Sequence, residues 1–134
     1  MQTVTIPITL VNQLLHHAQR DDKNEICGLI SAIDDEPFCS YPISNTADTP
    51  QNRYNMDPKE QIDAMRLMRE RDETLFAIYH SHPSSPAEPS AIDITEAGYP
   101  DALYLIISLK TKGVLEMRGF RIIENTVEEV TLVL

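Results

Sequence analysis

Thr74-Leu75-Phe76-Ala77-Ile78-Tyr79 is a short, nearly continuous apolar run that leads directly into His80. A strand that is apolar without alternation has both faces covered, so it belongs inside a sheet with helices packed on it. Such a strand delivers His80-Ser81-His82-Pro83 at its carboxyl end, which predicts a site at a strand edge. At 134 residues the chain has the length of one domain and buries roughly two-thirds of its unfolded surface, enough for that core. One domain over residues 1–134 is expected.

The elements around this strand alternate in kind. After Thr9, the residues Leu10, Val11, Leu14, Leu15 and Ala18 fall on one helical face, and the polar stretch Asp21-Asp22-Lys23-Asn24 closes that first helix. Ile26 to Ile30 reads as a buried strand with Glu25 at its entrance and Gly28 inside it, and Pro37 to Ile43 as a weaker second strand. Ser44 to Asn55 is a polar loop. Asp57-Pro58-Lys59-Glu60 starts a helix, with a capping Asp, a proline at the first position and Glu three after the cap. Ala64, Met65, Leu67 and Met68 supply its apolar stripe, and it should fade near Arg71-Asp72. Ser90 opens a further helical turn ending near Gly98. Ala102 to Ser108 is a buried strand, Val114 to Ile122 pairs with it as a hairpin, and Val127 to Leu134 is a last strand. Helices interleaved with strands, then hairpins, predict an α/β or α+β fold: a mixed sheet with helices packed on it.

Composition removes several function classes. A formal net charge of -10 repels phosphate backbones and anionic lipid, so neither nucleic acid nor membrane is an expected partner, and a protein or peptide is. No apolar stretch approaches a membrane span, and Met1-Gln2-Thr3-Val4 lacks a basic segment followed by an apolar one, which predicts a soluble, unexported, cytoplasmic chain. Cys27 and Cys39 are the only cysteines, too few for a disulfide framework or a Cys-x-x-Cys zinc ribbon.

The chemistry concentrates at His80, His82, Ser90 and Asp93. Histidines two positions apart on an extended backbone point the same way, so both imidazoles can reach one ion, and Asp93 supplies a third, anionic ligand. Three protein ligands leave one position of a tetrahedral zinc open, the mark of a catalytic site. The spacing His-x-His-x7-Ser-x2-Asp arises by accident in only ~10⁻⁴ of chains this long. The helix motif His-Glu-x-x-His is missing, as is the deaminase pairing of His-x-Glu with Pro-Cys-x-x-Cys, so another metallohydrolase plan is required.

That pattern, with Glu25-Ile26-Cys27-Gly28-Leu29 upstream, resembles the JAMM (MPN+) metalloprotease family, whose site combines a distant Glu, His-Ser/Thr-His-Pro, a Ser and an Asp. The resemblance implies a curved mixed sheet flanked by helices, related to the cytidine-deaminase-like folds. It implies one Zn²⁺ per chain, held by His80, His82 and Asp93 with water in the fourth position. It also makes Glu25 the general base and acid, and Ser90 the hydrogen-bond donor to the developing oxyanion. The short chain, without long insertions around the motif, looks like a stand-alone prokaryotic member. Such members resemble enzymes acting at the C-terminal diglycine of small ubiquitin-like sulfur carriers, and a bound tail is expected to lie along a sheet edge near Tyr79 and His80. The rival reading is a non-catalytic module that binds a ubiquitin-like protein. A metal-dependent esterase or phosphatase is a third, weakened by the acidic charge.

Ordinary structural roles account for the remaining candidates. His16 and His17 are read as structural or solvent-facing, Cys27 as a small buried side chain, and Arg53-Tyr54-Asn55 as capping and packing. Glu124, Glu128 and Glu129 are expected to face water on edge strands.

Overall fold

The computed structural model describes residues 2–134. The order is β1 (Thr3–Thr5), α1 (Ile8–Gln19), β2 (Cys27–Ile33), β3 (Glu36–Ile43), α2 (Pro58–Glu70) and β4 (Thr74–His82), followed by α3 (Ala91–Glu96), β5 (Leu103–Ser108), β6 (Glu116–Ile123) and β7 (Thr126–Val133). Seven strands form one mixed sheet in the order β1-β7-β6-β5-β4-β2-β3. The β1–β7 and β4–β5 pairs are parallel and the others antiparallel. The expected α+β class is therefore what the chain adopts. None of the described helices is long and apolar enough to cross a membrane.

The apolar run read as a central strand is one, because both of its faces are covered. Ala77 and Tyr79 point into a cluster with Leu10, Val11, Leu14 and Ala18 of α1, while Ile78 points into a cluster with Ala64 and Met68 of α2. Alternation along β4 then dictates that His80 and His82 share the α2 side with Ile78. At about 25 cal/mol per Å² of apolar surface, these two layers supply the main favourable contribution to folding.

Several boundaries shift for physical reasons. β4 runs on through His82, because Cys27 pairs with His80 on one side and Ile106 and Ser108 flank His80 and His82 on the other. The histidines are therefore not at a sheet edge, and an extended substrate cannot add a strand beside Tyr79 and His80, whose backbone partners are already taken. The sequence pattern carries no signal of β1. This strand is three residues long and is stabilised by pairing with β7, 128 positions away. Helix α1 begins at Ile8 behind Pro7, without a side-chain cap, and Leu15 is only partly buried. Asp57 does cap α2, accepting from the Lys59 N–H at 2.9 Å, but Glu60 does not close a capping box. Its Oε1 accepts from Ser44 N–H at 3.0 Å and ties the helix to the preceding loop. Glu129 is not on an edge strand, since β7 lies between β6 and β1, and it is paired with Arg118 at 2.6 Å.

Gly28 is required where it stands. A Cβ there would lie 2.4–2.6 Å from the Tyr79 ring and hydroxyl, and that hydroxyl donates to His17 Nδ1 at 2.8 Å if the ring nitrogen is unprotonated. His17 is therefore structural, as read, and His16 is exposed. Gly28→Ala is expected to cost about 1–3 kcal/mol by overpacking, seen as a lowered denaturation midpoint. Tyr79→Leu in the same chain should recover part of it.

Candidate metal centre

The site is assembled from three separate parts of the chain. Strand β4 presents His80 and His82 on one face, two residues apart. Helix α3 presents Asp93 from its first turn, and Glu25 lies in the segment entering β2. All four are buried, with Glu25 at 4% and His80 at 1% exposure.

His80 Nε2, His82 Nε2 and Asp93 Oδ2 stand 3.1 Å from one another, an equilateral triangle of ligand atoms. The Glu25 carboxylate lies within 4.8 Å of the three, and its Oε1 has no hydrogen-bond partner among the described residues. Burial pushes the Glu25 carboxyl up from 4.5 to about 7, against the attraction of His82, with Asp93 adding to the rise. Complete burial holds the His80 imidazole below its ordinary value, hence neutral. Asp93 is buried too, which alone would raise it, but the His80 and His82 imidazoles facing its Oδ2 hold its carboxyl well below the usual range.

These atoms fit a divalent cation. His82 donates from Nδ1 to the Pro86 carbonyl at 2.7 Å, so in the neutral ring Nε2 is a bare lone pair aimed at the carboxylate oxygen of Asp93. Two acceptors at 3.1 Å repel unless a cation lies between them. Donor atoms 2.0–2.1 Å from a tetrahedral ion are about 3.3 Å apart, close to the edges observed. Two imidazoles and two carboxylates also balance a charge of +2.

The motif's smaller residues turn out to hold the frame. Ser90 caps α3: its Oγ accepts the Asp93 N–H at 3.0 Å, and the Asp93 side chain accepts the Ser90 N–H at 2.9 Å. Ser90 and Asp93 therefore form a capping box, and the box is what aims Asp93 Oδ2 at the two histidines. Accepting that bond leaves the Ser90 hydroxyl proton free to donate elsewhere. Ser81, to which the sequence assigned no role, is fully buried. Its Oγ accepts the Ile26 N–H at 2.9 Å, fastening β4 to the residue after Glu25. Cys27 is buried with its Sγ against the Ile43 carbonyl, and burial raises the thiol to about 12, so it is no nucleophile. Tyr54, read as packing, stacks on His80 with ring centroids 4.5 Å apart and planes 29° from parallel. A lone aromatic in a polar loop carried no signal of that contact.

Comparison with known proteins agrees with this geometry. The family model described as prokaryotic homologs of the JAB domain matches residues 7–122. The CysO-cysteine peptidase of Mycobacterium tuberculosis is 35% identical over 128 residues, spanning 94% of this chain and 87% of that protein. The desampylase of Haloferax volcanii is 32% identical over 103 residues, spanning 72% of this chain and 74% of its own. A Desulfitobacterium hafniense protein, known from its solution structure, superposes with a TM-score of 0.83 at 33% identity, over 99% of this chain and 92% of that one. With the Glu25, His80, His82, Ser90 and Asp93 pattern intact, this chain belongs to the prokaryotic homologues of the JAB domain, within the JAMM (MPN+) family.

Proposed function

We propose that the chain is a zinc-dependent peptidase. Its substrate is a ubiquitin-like sulfur-carrier protein, and the bond hydrolysed is the amide beyond the carrier's C-terminal diglycine, so that a tail is trimmed or an attached cysteine or peptide released. The observation that carries this reading is the buried triangle of His80, His82 and Asp93 with the unpartnered Glu25 carboxylate beside it. Two relatives named for peptidase or desampylase activity support the substrate class. Two imidazole donors favour zinc over magnesium or calcium. Residues 1–134 act as one catalytic domain, and free Cys27 and Cys39 suit a cytoplasmic setting.

His80, His82 and Asp93 would hold the zinc, which when bound supplies Lewis acidity and an acidified water. The rest falls to the chain's own groups. Glu25, with its carboxyl near neutrality, takes up a proton on its carboxylate and returns it to the departing amine. Ser90 donates its free hydroxyl proton to the carbonyl oxygen as negative charge grows there. Pro86 keeps His82 in the tautomer whose Nε2 faces inward.

The test is to incubate the zinc-loaded chain with carrier proteins that bear a cysteine or peptide beyond the diglycine, and to follow their mass. Release of the adduct to leave a free diglycine end is expected. No mass change with any such carrier, at full zinc content, refutes the reading. Ser90→Ala should lower kcat by about 10²–10³ and remove about 1 kcal/mol of helix capping. Ser90→Thr should keep most of both, as steady-state kinetics and thermal melts will show.

A further inference from the structure

The two histidines of the cluster are restrained in different ways. His82 has the hydrogen bond from Nδ1 to a carbonyl that usually fixes the rotation of a metal-binding imidazole. His80 has none: its Nδ1 is buried and unpartnered among the described residues. The torsion that turns an imidazole is broad, so the direction of His80 Nε2 depends on what packs against the ring. What packs there is Tyr54, stacked at 4.5 Å.

Tyr54 is itself clamped. The Asn45 amide donates to the carbonyls of Glu25 at 3.0 Å and Arg53 at 3.1 Å. Its oxygen accepts the N–H groups of Ala47 at 3.0 Å and Asn55 at 2.9 Å. All four hydrogen-bonding positions of the amide are used, and two of them grip the residues on either side of Tyr54. Arg53 is also ion-paired with Glu96 of α3, the helix that carries Asp93.

We propose that Tyr54 is a positioning residue of the metal centre: its ring, clamped by Asn45, sets the angle of His80 in the place of a second hydrogen bond. The inference rests on the reading of the cluster as a metal centre. Metal affinity, measured by competition with a chromophoric chelator, and the visible absorption of the cobalt-loaded chain test it, alongside the melting temperature of the metal-free chain. Tyr54→Phe should match the natural chain, because the ring is kept. Tyr54→Leu should bind zinc about tenfold more weakly and shift the cobalt bands. Tyr54→Met, a flexible filler of similar bulk, serves the same comparison if the Leu variant does not fold.

A merely structural role would lower the metal-free melting temperature while leaving affinity and spectrum as they were. That result in either variant overturns the proposal. Failure of the natural chain to take up zinc or cobalt would instead overturn the metal-centre reading, and the inference with it.

Discussion

Glu25→Gln should lower kcat/KM for an extended carrier by about 10²–10⁴-fold, the range of general acid–base catalysis, without loss of bound metal. Gln keeps the shape of the side chain but cannot accept and return a proton. Zinc content and carrier cleavage, measured on the same preparation, separate the two effects. Parallel loss of metal would make Glu25 a ligand instead. The same substitution has a second, opposite consequence for stability. The Glu25 carboxyl is raised on folding from 4.5 to about 7, so the folded chain binds that proton more tightly than the unfolded one. In the metal-free protein this contribution leaves stability unaffected below about pH 4.5 and erodes it as pH climbs to about 7. Glu25→Gln should therefore match the natural apoprotein near pH 4.5 and exceed it at pH 8 by about 3 kcal/mol. Denaturant melts at the two pH values give the difference. A pH-independent difference would place the natural carboxyl in solvent contact.

Asp93→Ala should abolish stable metal binding. It removes one corner of the triangle and the acceptor facing both His80 Nε2 and His82 Nε2. It also breaks one arm of the α3 capping box, so a control is needed that loses a helix cap elsewhere. Asp57→Ala serves, because Asp57 caps α2 through the Lys59 N–H. Each should cost about 1 kcal/mol of capping, and Asp93→Ala alone should strip the metal. Bound metal stabilises only the folded chain, by about 2.7 kcal/mol at a hundredfold excess over Kd. The natural chain should therefore melt several degrees lower after chelation, as Asp57→Ala should, while Asp93→Ala should not respond. Metal content by plasma mass spectrometry and melts with and without chelator decide it. Retention of stoichiometric zinc by Asp93→Ala would exclude Asp93 as a ligand.

Much of the fold was legible because local patterning and the final environment agree. The apolar run at residues 74–79 is buried on both faces from Ala77 onward, and Asp57-Pro58 starts α2 where its chemistry says. Misreadings fall where a partner lies far away in sequence. The three residues of β1 have no period to detect, and only β7 makes them a strand. Glu60 has capping-box spacing, but the Ser44 N–H competes for its carboxylate and wins. The apolar pattern stops at Tyr79, three residues before β4 ends, because the polar His80-Ser81-His82 does not look like a strand interior. Pairing with β2 and β5 holds it there nonetheless.

By itself the sequence determined which atoms could bind a metal, since the types and spacing of His80, His82 and Asp93 follow from strand alternation and a helix cap, both local properties. Only the tertiary structure decided that Glu25 is buried. A carboxylate ahead of an apolar strand is ordinarily solvated, and here β4 and the Asn45 amide fasten its neighbouring backbone. The tertiary structure also decided that the histidines lie inside the sheet and that Tyr54 stacks on one of them. Those contacts join residues that are distant along the chain, so their geometry exists only once the sheet and its loops have closed.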